Sequence, residues 1–104
     1  MDIAFTNKSL RHLCESDSAA RKYFGADVAV RLRARLADID AAVNGAELGA
    51  GRPRQVESSL LALDLSEGYA MLLEAAEPKP HIEKGGVDWR KVIRVKVLKI
   101  AKHD

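Results

Sequence analysis

Apolar residues recur along this chain with two different periods, and the change falls near its middle. Asp2 to Thr6 (DIAFT) is short and apolar enough for a first strand. Asn7 to Glu15 then places Leu10 and Leu13 three residues apart, with Thr6 or Asn7 able to cap a helix. Ser16 to Phe24 predicts a second short helix, closed by Gly25 at a position that suits left-handed backbone. Asp27 to Val43 is the clearest helical segment. Val28, Leu32, Leu36, Ile39 and Val43 form one stripe at intervals of three and four. Arg31, Arg33, Arg35, Asp38 and Asp40 fall on the remaining face, which predicts a solvated surface. Asn44-Gly45 ends the helix, and Gly49 to Pro53 reads as a loop.

Beyond that loop the period becomes two. Leu61, Leu63 and Leu65 alternate, as do Tyr69, Met71 and Leu73. Ser66-Glu67-Gly68 between them predicts a hairpin turn, the glycine supplying positive φ. Glu77 to Gly86 holds two prolines and two glycines and predicts a loop, which Trp89 anchors on the core. A β-branched final strand follows. The order of strand, helices, hairpin, loop and strand predicts an α+β fold, with two or three helices packed on a small, mainly antiparallel sheet of about four strands. The 104 residues, 47% of them apolar, are read as one domain over 1–104.

Charge adds a local feature. The net charge is only +2, but six basic residues and no acidic one lie between Arg90 and Lys102. Arg90, Lys91, Arg94, Lys96, Lys99 and Lys102 alternate irregularly with Val92, Ile93, Val95, Val97, Leu98 and Ile100. A cationic strand followed by His103 suits a polyanion such as RNA, whose phosphates need neutralising and whose 2′-hydroxyl can be deprotonated. It equally suits an edge strand that carries lysines against edge-to-edge pairing.

Other chemistries find little here. One cysteine, Cys14, permits no internal disulfide, and the three histidines are too scattered to suggest a metal site. No segment resembles a signal peptide or an apolar membrane span, so a cytoplasmic protein without membrane contact or cofactor is expected. Asp64 and Glu74 read as exposed pairing residues of the hairpin rather than a catalytic carboxylate pair. Phosphate-cradling glycine motifs are absent.

Several short stretches, in order, resemble the RelE/ParE toxin superfamily and its HigB-like "plasmid maintenance system killer protein" branch. They are Ile3-Ala4-Phe5 with Lys8-Ser9-Leu10, Leu32 to Asp38, Gly51-Arg52-Pro53-Arg54, Leu63-Asp64-Leu65 with Gly68-Tyr69, and Gly86-Val87-Asp88-Trp89 before Val92 and the basic strand. The resemblance implies the toxin of a type II toxin–antitoxin pair, partnered by a cognate antitoxin, commonly a helix-turn-helix protein. RelE-like members are metal-independent endoribonucleases that cut mRNA at the ribosome; ParE-like members share the fold and inhibit DNA gyrase. By this resemblance Arg52 and Arg54 bind RNA phosphate, joined by Lys99 and Lys102 of the basic strand, and His103 serves catalysis with Arg94 or Lys96 as the cation in place of the missing hairpin arginine. His103 occupies the place of the branch's usual tyrosine, and an imidazole with a pKa of about 6.5 is a competent proton carrier. The chain departs from the branch at Ala70, where an arginine beside the reactive phosphate is usual.

Three functions therefore compete: an mRNA-cleaving toxin, a toxin of the same fold that acts only by binding, and an RNA-binding domain that stacks bases on Trp89 or Tyr69.

Overall fold

A computed structural model describes residues 1–57, 59–76 and 86–102. Of the loop expected over Glu77 to Gly86, residues 77–85 lie outside the described residues, as does His103. The fold is α+β. Strand β1 (Asp2–Phe5) leads into three helices, α1 (Lys8–Glu15), α2 (Asp17–Phe24) and α3 (Ala26–Ala41). Strands β2 (Arg54–Glu57), β3 (Leu60–Asp64), β4 (Tyr69–Ala75) and β5 (Arg94–Lys102) complete a five-stranded sheet of order β1-β5-β4-β3-β2. All neighbours are antiparallel except β1 and β5, which run parallel.

Local chemistry accounts for the helix boundaries. The Asn7 side chain accepts the Leu10 N–H at 2.8 Å and caps α1, while the neighbouring Thr6 hydroxyl donates to carbonyls of β5. Ser16 caps α2 in the same way through the Ala19 N–H. Gly25, at φ 94°, reverses the chain into α3 without a Cβ penalty.

The helices cover one face of the sheet. Ala20, Phe24, Val28, Leu32 and Ile39 cluster with Leu61, Leu63, Met71, Leu73, Val95 and Val97. Each fully buried Leu, Ile or Met in that cluster contributes about 1.5–3 kcal/mol relative to exposure. Alternate residues of the strands, among them Ala62, Ala70, Leu72 and Ala101, lie outside the cluster and face the other way.

One expectation needs extending and three need correcting. The sheet has a fifth strand, β2, whose sequence Arg54-Gln55-Val56-Glu57 carries one apolar residue and so gives no strand signal; backbone pairing with β3 makes it. Val43 is 70% exposed rather than part of the buried stripe, because α3 stops at Ala41 and Asn44 caps a new 3-10 turn at Gly45–Glu47. Arg35 is buried within the face expected to be solvated. Finally, β5 is flanked by β1 and β4, so it is no edge strand, and the edge-protection reading of its lysines falls.

Candidate nucleic-acid interface

The uncovered face of the sheet gathers cations from distant parts of the sequence. Across it, Arg54 stands opposite Ala62, Ala62 opposite Leu72, and Leu72 opposite Lys99. In the next row Asp64 faces Ala70, and Ala70 faces Ala101. Directly opposed residues of an antiparallel pair share a face, so Arg54 and Lys99 bracket a floor of small and aliphatic side chains. Three strand spacings put their backbones about 14 Å apart. An open cavity of about 360 Å³ occupies this floor, lined by Arg54, Val56, Ala62, Ala70, Leu72, Lys99, Ala101 and Lys102 among others.

A bulge makes that arrangement possible. Leu73 pairs with Val97, but Leu72 pairs with Lys99, so Leu98 is an extra residue on β5. Strict alternation would have sent Lys99 to the helix side with Val95 and Val97. The inserted residue reverses the phase, placing Lys99 on the open face and Ile100 against the core.

The arginines are held rather than loose. Arg52 contacts Asp64 Oδ2 through Nε and Nη2, each at 2.6 Å, and Arg54 Nη1 lies 3.0 Å from Asp64 Oδ1. The Asp64 side chain is 19% exposed, not the exposed pairing residue expected of it. The hydrogen bond from Arg52, joined by the one from Arg54, holds its carboxyl below the usual aspartate range, against the opposing effect of desolvation. One carboxylate between two guanidinium groups leaves a surplus positive charge at the cleft wall.

Every site residue expected from the sequence except His103 has a described place. Arg54, Lys99 and Lys102 line the cavity, and Arg52 stands beside Arg54 on the same carboxylate. The Lys102 ammonium lies 5.9 Å from the centroid of the Tyr69 ring. Arg94 and Lys96 are on the open face but do not line the cavity. Arg94 is at the far end of β5, paired with Asp2 at 3.8 Å, and Lys96 stands opposite Glu74. His103 is outside the described residues, directly after Lys102 in the chain.

The aromatic residues lie elsewhere. Tyr69 packs edge-to-face on Phe24, with ring centroids 5.4 Å apart, and Trp89 packs against the core and donates its indole N–H to Gln55 at 3.3 Å. Neither lines the cavity, so the base-stacking reading lacks its platform there.

Cys14 is half-buried, and desolvation, reinforced by Glu15, pushes its thiol up to about 11. At neutral pH it is a packed thiol, not a nucleophile. Among the described residues, no three His, Cys, Asp or Glu side chains converge as metal ligands, and no helix is long and apolar enough to cross a membrane.

Sequence reasoning missed the grip of Asp64 on both arginines and the role of Arg35 behind it. The only signal for either was the i, i+2 spacing of Arg52 and Arg54 around Pro53, which leaves two like charges needing a shared counter-ion.

No protein-family model, curated protein or solved structure matches the chain.

Proposed function

We propose that this protein binds single-stranded RNA across the open face of its sheet and acts as the toxin of a type II toxin–antitoxin pair, cutting mRNA on the ribosome without a metal ion. The observation that carries the reading is that Arg54 and Lys99 bracket one open cleft with a small-residue floor, which Lys102 also lines although its ammonium lies by Tyr69. Fixed cations around a shallow apolar surface suit a chain of phosphates with bases between them. The order of short stretches resembling the HigB-like branch supports the same reading.

In the reaction proposed, the 2′-oxygen of one nucleotide attacks the adjacent phosphorus, a bond forms between them, and the 5′-oxygen of the next nucleotide leaves. Arg54 and Lys99 bind the phosphate oxygens as negative charge builds on them. A proton must leave the 2′-hydroxyl and another must reach the departing oxygen. Asp64 is a poor candidate for either transfer, being ion-paired and held as a carboxylate. His103 is the residue proposed for proton transfer, since it follows Lys102 in the chain and an unperturbed imidazole changes charge near neutrality.

Ala70 favours a second reading, a binding-only toxin of the same fold, including a gyrase-directed one. It occupies the floor where the branch it resembles carries a cation. Losing one donor to the transition state costs on the order of 2.7–4 kcal/mol, a hundred- to a thousandfold in rate. Induced expression with and without the adjacent small antitoxin, followed by primer extension on cellular mRNA, separates the readings. Growth arrest relieved by the antitoxin, with new mRNA ends, supports the nuclease. Arrest with intact mRNA supports the binding-only form, and normal growth at high levels of folded protein removes both.

A further inference from the structure

We infer that Asp64 is a positioning residue that latches the loop from Gly51 to Pro53 onto the start of β2 so that Arg54 is aimed into the cleft. The inference rests on the anion-binding reading of that cleft. On charge alone, a carboxylate at the wall of an RNA site is unfavourable, because it repels phosphate. Its geometry gives it another role.

Asp64 is tied at each of its polar groups. Its backbone N–H donates to the Gly51 carbonyl at 2.6 Å, and its carbonyl accepts from Arg35 Nε at 3.2 Å. Its carboxylate takes Arg52 on one oxygen and Arg54 on the other. The loop so held does not sit in relaxed backbone. Gly51 and Arg52 have φ of 84° and 50°, the second a conformation that side-chain-bearing residues rarely adopt. Gly51 also has no room for a Cβ, which would lie 2.7 Å from Arg35 Nε and 2.9 Å from the Asp64 carbonyl. The loop therefore depends on its attachments, and the carboxylate is the attachment that reaches the arginine side chains themselves.

A guanidinium group carries five N–H donors in a rigid fork. Among the described residues, Arg54 Nη1 lies 3.0 Å from Asp64 Oδ1 and donates to the Arg52 carbonyl at 3.1 Å, two contacts on one nitrogen that orient the rest of the fork. Asp64 thus exchanges some phosphate repulsion for a preorganised donor set, which lowers the ordering cost of binding.

The two effects predict opposite signs, which makes the inference testable. The probe is a short single-stranded RNA of mixed sequence, titrated against the purified full chain. Positioning predicts that Asp64→Asn, although it removes a negative charge, weakens binding about tenfold, the loss of one charge-assisted hydrogen bond. Asp64→Glu restores most of it, and Asp64→Asn adds little to Arg54→Ala in the double variant. Simple charge predicts that Asp64→Asn binds RNA more tightly with a steeper salt dependence. That result, alongside a weakened Arg54→Ala, overturns the inference while leaving the cleft reading in place. An Arg54→Ala variant that binds normally overturns both. Independently of any variant's folding, the Arg54 Nη protons of the parent protein should show restricted rotation of the guanidinium group by NMR. A freely averaged Arg54 guanidinium overturns the inference as well.

Discussion

Arg35, on helix α3, donates its Nε–H to the backbone carbonyl of Asp64, at the end of strand β3, at 3.2 Å. The bond joins the helical layer to the end of β3, whose Asp64 side chain holds the cleft arginines. It explains why a charged side chain only 11% exposed lies on a face otherwise patterned for water. The same guanidinium reaches Asp38 at 3.2 Å, so its charge is balanced as it is buried. Arg35→Ala should lower stability by about 2 kcal/mol, since a buried carbonyl loses its donor and a void opens. Arg35→Lys should recover part of this, one ammonium being unable to reproduce the two-sided fork. Urea unfolding midpoints at constant slope check both.

Gly51→Ala should be at least as damaging. Its positive φ disfavours any side chain, and the new methyl would press on Arg35 Nε and the Asp64 carbonyl. We expect a loss of about 1–3 kcal/mol in thermal or urea unfolding, with RNA binding weakened in the folded fraction as Arg54 shifts. Gly49→Ala is the control, because a Cβ there meets nothing within 4 Å.

Acid should destabilise the fold in a defined direction. Asp17 is paired with Arg21 and Arg33, Asp64 with Arg52 and Arg54, and Asp88 with Arg90; the hydrogen bonds of these pairs hold each carboxyl below its ordinary 3.8. In that range the native state binds fewer protons than the unfolded chain. The stability contributed is complete above 3.8 and is lost as pH falls through the lower folded values. Melting temperature followed from neutral pH to about pH 2 should show this limb, with Asp64→Asn less stable than the parent at neutrality and converging with it in acid. Parallel curves offset by a constant amount would show that Asp64 contributes through shape, not charge.

Ala70→Arg should place a guanidinium on the cleft floor, in the row between Asp64 and Ala101. If the missing charge limits cleavage, the variant should raise mRNA cutting by roughly a hundredfold in a purified-ribosome assay, the value of one transition-state donor. His103→Ala should lower that activity and remove any apparent pKa in the histidine range from the rate profile. A folded Ala70→Arg variant that gains nothing, with a His103→Ala variant that loses nothing, would assign the protein to the binding-only form of the fold.

Periodicity, with capping and turn residues, determined the α+β class, two or three helices and the Leu61–Leu73 hairpin, because each uninterrupted period reports which face of one element meets the core. The basic strand was equally visible as composition. Its geometry was not. The sequence runs Arg94, Lys96, then Lys99, a spacing of two followed by three, and only pairing with β4 decided that Leu98 is the extra residue that turns Lys99 to the open face. Strand β2 has no hydrophobic pattern to announce it, since it is a short strand at the edge of the sheet, mostly exposed, and formed by hydrogen bonds to β3. The Asp64 latch joins residues 12 and 10 apart in sequence, and Arg35 reaches it from 29 residues away. Local propensity carries no record of such contacts. They form because burying Arg35 and partly burying Asp64 requires their polar atoms to find partners, and the folded sheet and helix are what bring those partners within reach.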